Sequence, residues 1–219
     1  FVDNVPQSQY FNMGKIKTER GYFHFSENKL RNSYIEFRSH WQNLPNPENF
    51  MQKYLFARGV KFIITTEDYG EGKIFDPTST ISHNFEKIGE SSHLKRTYIF
   101  LKNKDLVFEN MLVDNNSQIF AQLKNLSSQD FTSIKNTGDS LDSFYNIAKD
   151  NQENLNKATI DTNTAEIIKI PSIPAQKTLL INTNYDINWT RPNKNIEITE
   201  LATGYLGIQN TTNEEISNI

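Results

Sequence analysis

Between Lys177 and Ile219 apolar and polar residues alternate in four short runs separated by turn-forming residues. Thr178-Leu179-Leu180-Ile181-Asn182 is apolar and partly β-branched, as a buried strand requires. Ile196-Glu197-Ile198-Thr199 alternates with period two, and Thr203-Gly204-Tyr205-Leu206-Gly207-Ile208 repeats the pattern after a glycine break. Glu214 to Ile219 begins a last alternating run. Between the first two runs lies a polar, turn-prone stretch with two large aromatics, Asn184 to Thr190, followed by the turn Arg191-Pro192-Asn193-Lys194-Asn195. Short strands joined by such turns pair antiparallel. The reading is an antiparallel, jelly-roll-like β-sandwich, with Leu180, Trp189, Ile198, Leu206 and Ile208 largely buried.

The rest of the chain divides near residue 105. Residues 1–105 read as a mixed α/β subdomain and residues 106–219 as the β-sandwich subdomain, so the predicted class is α+β, mostly β. In the first part Tyr22–Phe25 and Ser33–Phe37 look like strands. Asn46-Pro47-Glu48 combines a cap, a first-turn proline and a first-turn acid, and so starts a helix. Phe50, Met51, Tyr54 and Leu55 form its apolar stripe, and Gly59 ends it. A strand follows from Val60 to Thr66. Phe85–Ile88 and Leu94–Leu101 read as a hairpin turning through Glu90 to His93. In the second part Leu106–Val113, Gln118–Leu123 and Ala165–Ile170 read as strands. Leu141, Phe144, Tyr145 and Ala148 share one face of a helix over Asp139–Asn154, with an extended loop as the alternative. Pro171-Ser172-Ile173-Pro174 bends the chain at a sheet edge.

Composition narrows the function classes. A net charge of -3 and a pI near 5.9 argue against a nucleic-acid partner. The absence of cysteine excludes disulfides, thiolate metal sites and a cysteine nucleophile. Longer apolar runs than Phe62-Ile63-Ile64 and Leu179-Leu180-Ile181 are needed to span a bilayer. A chain opening on Phe1 reads as an excised or processed piece, and its wealth of Asn, Lys and Ile as an AT-rich bacterial origin. Sequons stand at Asn115, Asn125, Asn188 and Asn210, but chance supplies as many in so Asn-rich a chain.

Several of these segments, taken in order, resemble a known family. Leu179-Leu180-Ile181-Asn182-Thr183-Asn184-Tyr185-Asp186-Ile187-Asn188-Trp189, the following basic turn and Gly204-Tyr205-Leu206-Gly207-Ile208-Gln209 look like the outer-face domain of YfhO-like, GT-C type multi-pass membrane glycosyltransferases. Tyr54–Ile64 is similar to that family's helix followed by a "GVKYII" strand, and Tyr98–Lys104 to its "vYenk" strand. The chain departs from the family at Asn188, where glycine usually precedes the tryptophan. The resemblance implies a domain on the extracytoplasmic face of a bacterial cell membrane, tied to it by flanking helices. The partner would be a glycan or a lipid-linked sugar, and the transferase chemistry would lie mostly outside these residues.

The residues fit that role in one place. Tyr185, Asp186, Trp189 and Tyr205 combine aromatic faces with a carboxylate, which suits the apolar face and the hydroxyls of a sugar ring. The same rings suit packing over the sandwich core. Trp41, near His40 and Arg38, has the same two readings. Thr66-Glu67-Asp68 ends a strand, where carboxylates often serve catalysis, but with no recognisable partner it reads as a solvated turn. Asp68 and Glu71 beside glycines lack the spacing of a calcium loop. His24, His40, His83 and His93 form no metal-binding or triad spacing. No catalytic residue, metal or cofactor is therefore assigned. The basic clusters Lys15-Lys17-Arg20, Lys53-Arg58-Lys61 and Lys95-Arg96 read as solvated faces or contacts to anionic headgroups. A free-standing cell-surface carbohydrate-binding or adhesion module is the alternative, and a soluble hydrolase the third reading.

Overall fold

The structure is a computed structural model that describes residues 46–67, 75–93, 96–129, 133–160, 168–191 and 194–219. The readings made on residues 22–25, 33–41, 68–72 and most of 165–170 lie outside these residues. The fold is α+β with antiparallel sheets. It falls into two compact units that divide between Val107 and Phe108.

In the first unit α1 spans Pro47–Ala57. Asn46 caps it, its Oδ1 accepting from the Asn49 amide at 3.0 Å, and Pro47 occupies the first turn, where its missing N–H costs nothing. The stripe residues Phe50, Met51, Tyr54 and Leu55 are all buried. Gly59 sits at φ 63°, a left-handed conformation that ends the helix cheaply only without a Cβ. The strands β1 (Phe62–Thr66), β2 (Phe85–His93) and β3 (Arg96–Asn103) form an antiparallel sheet in the order β1-β3-β2. Its buried face carries Ile63, Ile99 and Leu101.

The expected hairpin is present, but its turn is displaced. Glu90 to His93 continue β2 and pair with Ile99 to Arg96, so the strands run on through the expected turn. β2 is an edge strand with exposed polar side chains, and such a strand mimics a turn in sequence. A bulge between Lys87 and Gly89 and the exposed Lys87–Glu90 ion pair at 2.6 Å roughen that edge. The hydrogen bond and charge of Lys87 hold the Glu90 carboxyl below its usual pKa.

In the second unit β4 (Asn110–Asp114), β6 (Lys177–Asn184), β7 (Ile196–Leu201) and β8 (Tyr205–Asn210) form an antiparallel sheet in the order β4-β6-β8-β7. A second, two-stranded sheet pairs β5 (Ser172–Ile173) with β9 (Ile216–Ser217). Side-chain alternation sorts the large sheet into two apolar faces. Leu179, Ile181, Ile196, Leu206 and Ile208 pack with Ile170 and Ile173, so the two sheets share this core. The opposite face carries Met111, Leu180, Leu201 and Tyr205. Two helices accompany it: α2 (Gln118–Ser127) lies against β7 and β4, and Phe144 of α3 (Ile134–Asp150) packs on Tyr205.

The helix expected over Asp139–Asn154 is therefore present, but it starts earlier, at Ile134, and ends earlier, at Asp150, before a 3-10 turn at Gln152–Asn154; Leu141, Phe144 and Ala148 are buried. Gln118–Leu123, read as a strand, is helical instead. Ser117 caps α2 by accepting from the Phe120 amide at 3.1 Å, and Leu123 and Leu126, three residues apart, turn to the core. Leu180, Leu206 and Ile208 are buried as expected, Leu180 on the helix-covered face and the other two in the core between the sheets, while Trp189 and Ile198 are half-buried.

Gly207 shows how tightly β7 and β8 meet. A Cβ there would lie 2.6 Å from Leu201 Cδ1 and 3.0 Å from Thr199 Cγ2, and Leu201 is fully buried and cannot swing away. Gly207→Ala should therefore cost about 1–3 kcal/mol through overpacking, measured by urea denaturation. An unchanged midpoint would mean that the strands separate freely.

Candidate functional site

Residues 185–191 follow β6 on the way to β7. The loop is anchored at its start by the Tyr185 amide, which donates to the Gly204 carbonyl at 2.9 Å. It then folds on itself. Asp186 Oδ1 accepts from both the amide and the Nδ2 of Asn188 at 2.8 Å each, and the Trp189 amide donates to the Asp186 carbonyl at 3.1 Å. This is the Asx turn that the short Asp side chain favours. At its end Arg191 Nη1 donates to the Ile196 carbonyl at 3.3 Å.

The loop's aromatics are seated rather than loose. Tyr185 and Trp189 are half-buried and pack against the cluster that includes Leu179, Ile181, Leu206 and Ile208. Between them Ile187 is 85% exposed and Asn188 is exposed. Asp186 Oδ2 makes no hydrogen bond among the described residues, which leaves one carboxylate oxygen to receive a hydroxyl. Partly open ring surface and one carboxylate oxygen are thus held together by three local hydrogen bonds and a packed base.

Tyr205 does not belong to this group. It is fully buried on the other face of the sheet, its ring centroid 5.2 Å from that of Phe108 and 5.8 Å from that of Phe144. The reason is the strand period: Tyr205 points with Gly207, away from Leu206 and Ile208. No ligand on the surface reaches it, so it is a packing residue. Trp41 lies outside the described residues.

The other sequence candidates stay dispersed. Glu67 is exposed beside the buried Thr66 at the end of β1, and Asp68 lies outside the described residues. His83 is exposed. Among the described residues no three His, Asp or Glu side chains gather as metal ligands. No helix among them is long and apolar enough to cross a membrane.

Of the sequon asparagines, Asn115 and Asn210 are engaged by the fold. Asn115 Nδ2 donates to the Asn210 carbonyl at 2.8 Å while its Oδ1 accepts from Thr178 Oγ1 at 2.6 Å. Asn125 and Asn188 are exposed. Sequence reading missed what holds the loop, namely the Gly204 carbonyl and the Arg191 guanidinium. Neither carries a local signal, because both bonds depend on how β6, β7 and β8 pair. Compared with known proteins, the chain matches no family model, no curated protein and no solved structure.

Proposed function

We propose that this chain is the extracytoplasmic, substrate-recognising part of a membrane glycosyltransferase of the cell envelope, binding a glycan or lipid-linked sugar rather than performing the transfer. The observation that carries the reading is the 185–191 loop, in which an Asx turn presents Asp186 between two half-buried rings. Pre-ordering matters here, because a loop already folded loses less entropy when a weak, polar ligand binds. The family resemblance of the same segment supplies the membrane setting. A free-standing surface module would use the same loop, and hydrophobic helices encoded on both sides of the segment would separate the two readings.

The test is a titration of the Trp41→Phe protein with short glycans, nucleotide sugars and a water-soluble lipid-phosphate sugar, following Trp189 fluorescence. Saturable change at millimolar or lower ligand is expected, lost in Asp186→Ala while the fold is retained. No change with any of the three ligand classes would overturn the proposal.

A further inference from the structure

The last residues of the chain close over the same core on which the aromatic loop sits. β9 pairs with β5, the Ile219 and Ile170 amides exchange hydrogen bonds with each other's carbonyls at 3.0 and 2.8 Å, and the Asn218 amide donates to the Pro171 carbonyl at 2.8 Å. Residues 215–219 contribute little apolar surface to this closure. Only Ile216 and Ile219 pack on the core, and both are half-buried. In β8, by contrast, Tyr205 through Ile208 are all buried. Local openings are easiest where few buried apolar contacts back the hydrogen bonds.

We propose that residues 215–219, beyond the segment that Asn210 and Gln176 hold by hydrogen bonds, form a strap that opens locally, and that its closure orders the Tyr185–Trp189 loop. The link is the shared base: Ile216, Ile219, Tyr185 and Trp189 all pack against one cluster of seven buried residues. When the strap leaves, Ile170 and Ile173 lose their cover and their hydrogen-bond partners, and the surface under the two rings loses its backing. Closure of the strap and order in the loop then favour one another, and coupling of this kind is reciprocal. That a glycan on the loop would hold the strap shut is a consequence that alone rests on the proposed function.

Hydrogen exchange by NMR on the full chain tests this, in a Trp41→Phe background so that Trp189 reports alone. In the unaltered strap, the Asn218, Ile219 and Ile170 amides should exchange at least about tenfold faster than those of β6 and β8, as a locally opening segment must. Ile216→Ser with Ile219→Ser should accelerate the strap amides further, accelerate the Tyr185 and Trp189 amides with them, and shift Trp189 emission to the red, while β6 and β8 stay protected. Should the double variant expose β6 and β8, Ile219→Ala alone gives the same reading at smaller amplitude. Strap amides as slow as those of β8 would overturn the local opening. Faster strap amides with an unmoved Trp189 emission and unchanged loop amides would overturn the coupling. Either result leaves the glycan titration to be judged separately.

Discussion

Tyr205→Ala should cost the second unit about 3–5 kcal/mol, the range for emptying a fully buried aromatic site. Tyr205 is fully buried, and it touches Phe108 and Phe144, which also meet each other edge-on at 4.9 Å. The three rings join β8, the start of the unit and α3. Removing the middle ring leaves a cavity that neither helix nor sheet can close, because Leu141 and Leu201 beside them are themselves fully buried in place. With domain stabilities of about 5–15 kcal/mol, such a loss brings the unit close to unfolding at 37 °C. Tyr185→Ala is the control: its ring is half-buried and should cost no more than about 1–2 kcal/mol, since only part of its area leaves water. Urea denaturation followed by circular dichroism measures both. Equal midpoints for the two variants would mean that Tyr205 is not the ring that joins the helices to the sheet.

The same residue marks where sequence reading stops. Period-two alternation identified β6, β7 and β8 and placed Leu206 and Ile208 on one apolar face. It could not reveal that the other face is also covered, because the cover comes from α2 and α3, distant in the chain. Tyr205 was therefore open to two readings, a site ring beside Tyr185 and Trp189 or a packing ring. The strand assigned to Gln118–Leu123 failed for a related reason. Ile119, Phe120 and Leu123 fit a short strand as well as a helix, and the deciding contact is a Ser117 cap whose geometry is visible only in three dimensions. α1 was legible because its cap, first-turn proline, apolar stripe and terminal glycine are all local and agree with one another. The aromatic loop was legible as a loop with rings and a carboxylate. Its order was not, because the bonds from Tyr185 to Gly204 and from Arg191 to Ile196 follow from strand register.

Asn210→Ala should destabilise the second unit by at least about 3 kcal/mol, because removing a buried amide strands each of its partners at about 1–3 kcal/mol. Asn210 is fully buried at the end of β8. Its Nδ2 donates to the carbonyls of Ile173 at 3.0 Å, Pro174 at 3.0 Å and Glu214 at 2.8 Å, and its Oδ1 accepts from the amide and the hydroxyl of Thr212 at 2.9 and 2.8 Å. One side chain thereby ties the proline bend, the turn after β8 and the large sheet together. The turn after β8 is held as well by Gln176, whose amide donates to the Thr212 carbonyl at 3.0 Å, whereas β5 and β9 are two-residue strands. Asn210→Asp should be worse than the alanine variant at neutral pH. A carboxylate would face three carbonyl oxygens with no proton to share. Protonation relieves that repulsion, so the folded-state pKa of the new acid would be raised and its penalty would shrink as pH falls through that value. The pair of variants is read by urea midpoints at neutral and mildly acidic pH. If both match the parent protein, or if the aspartate variant loses rather than regains stability relative to the alanine variant on acidification, the buried amide is not what fastens the bend to the sheet.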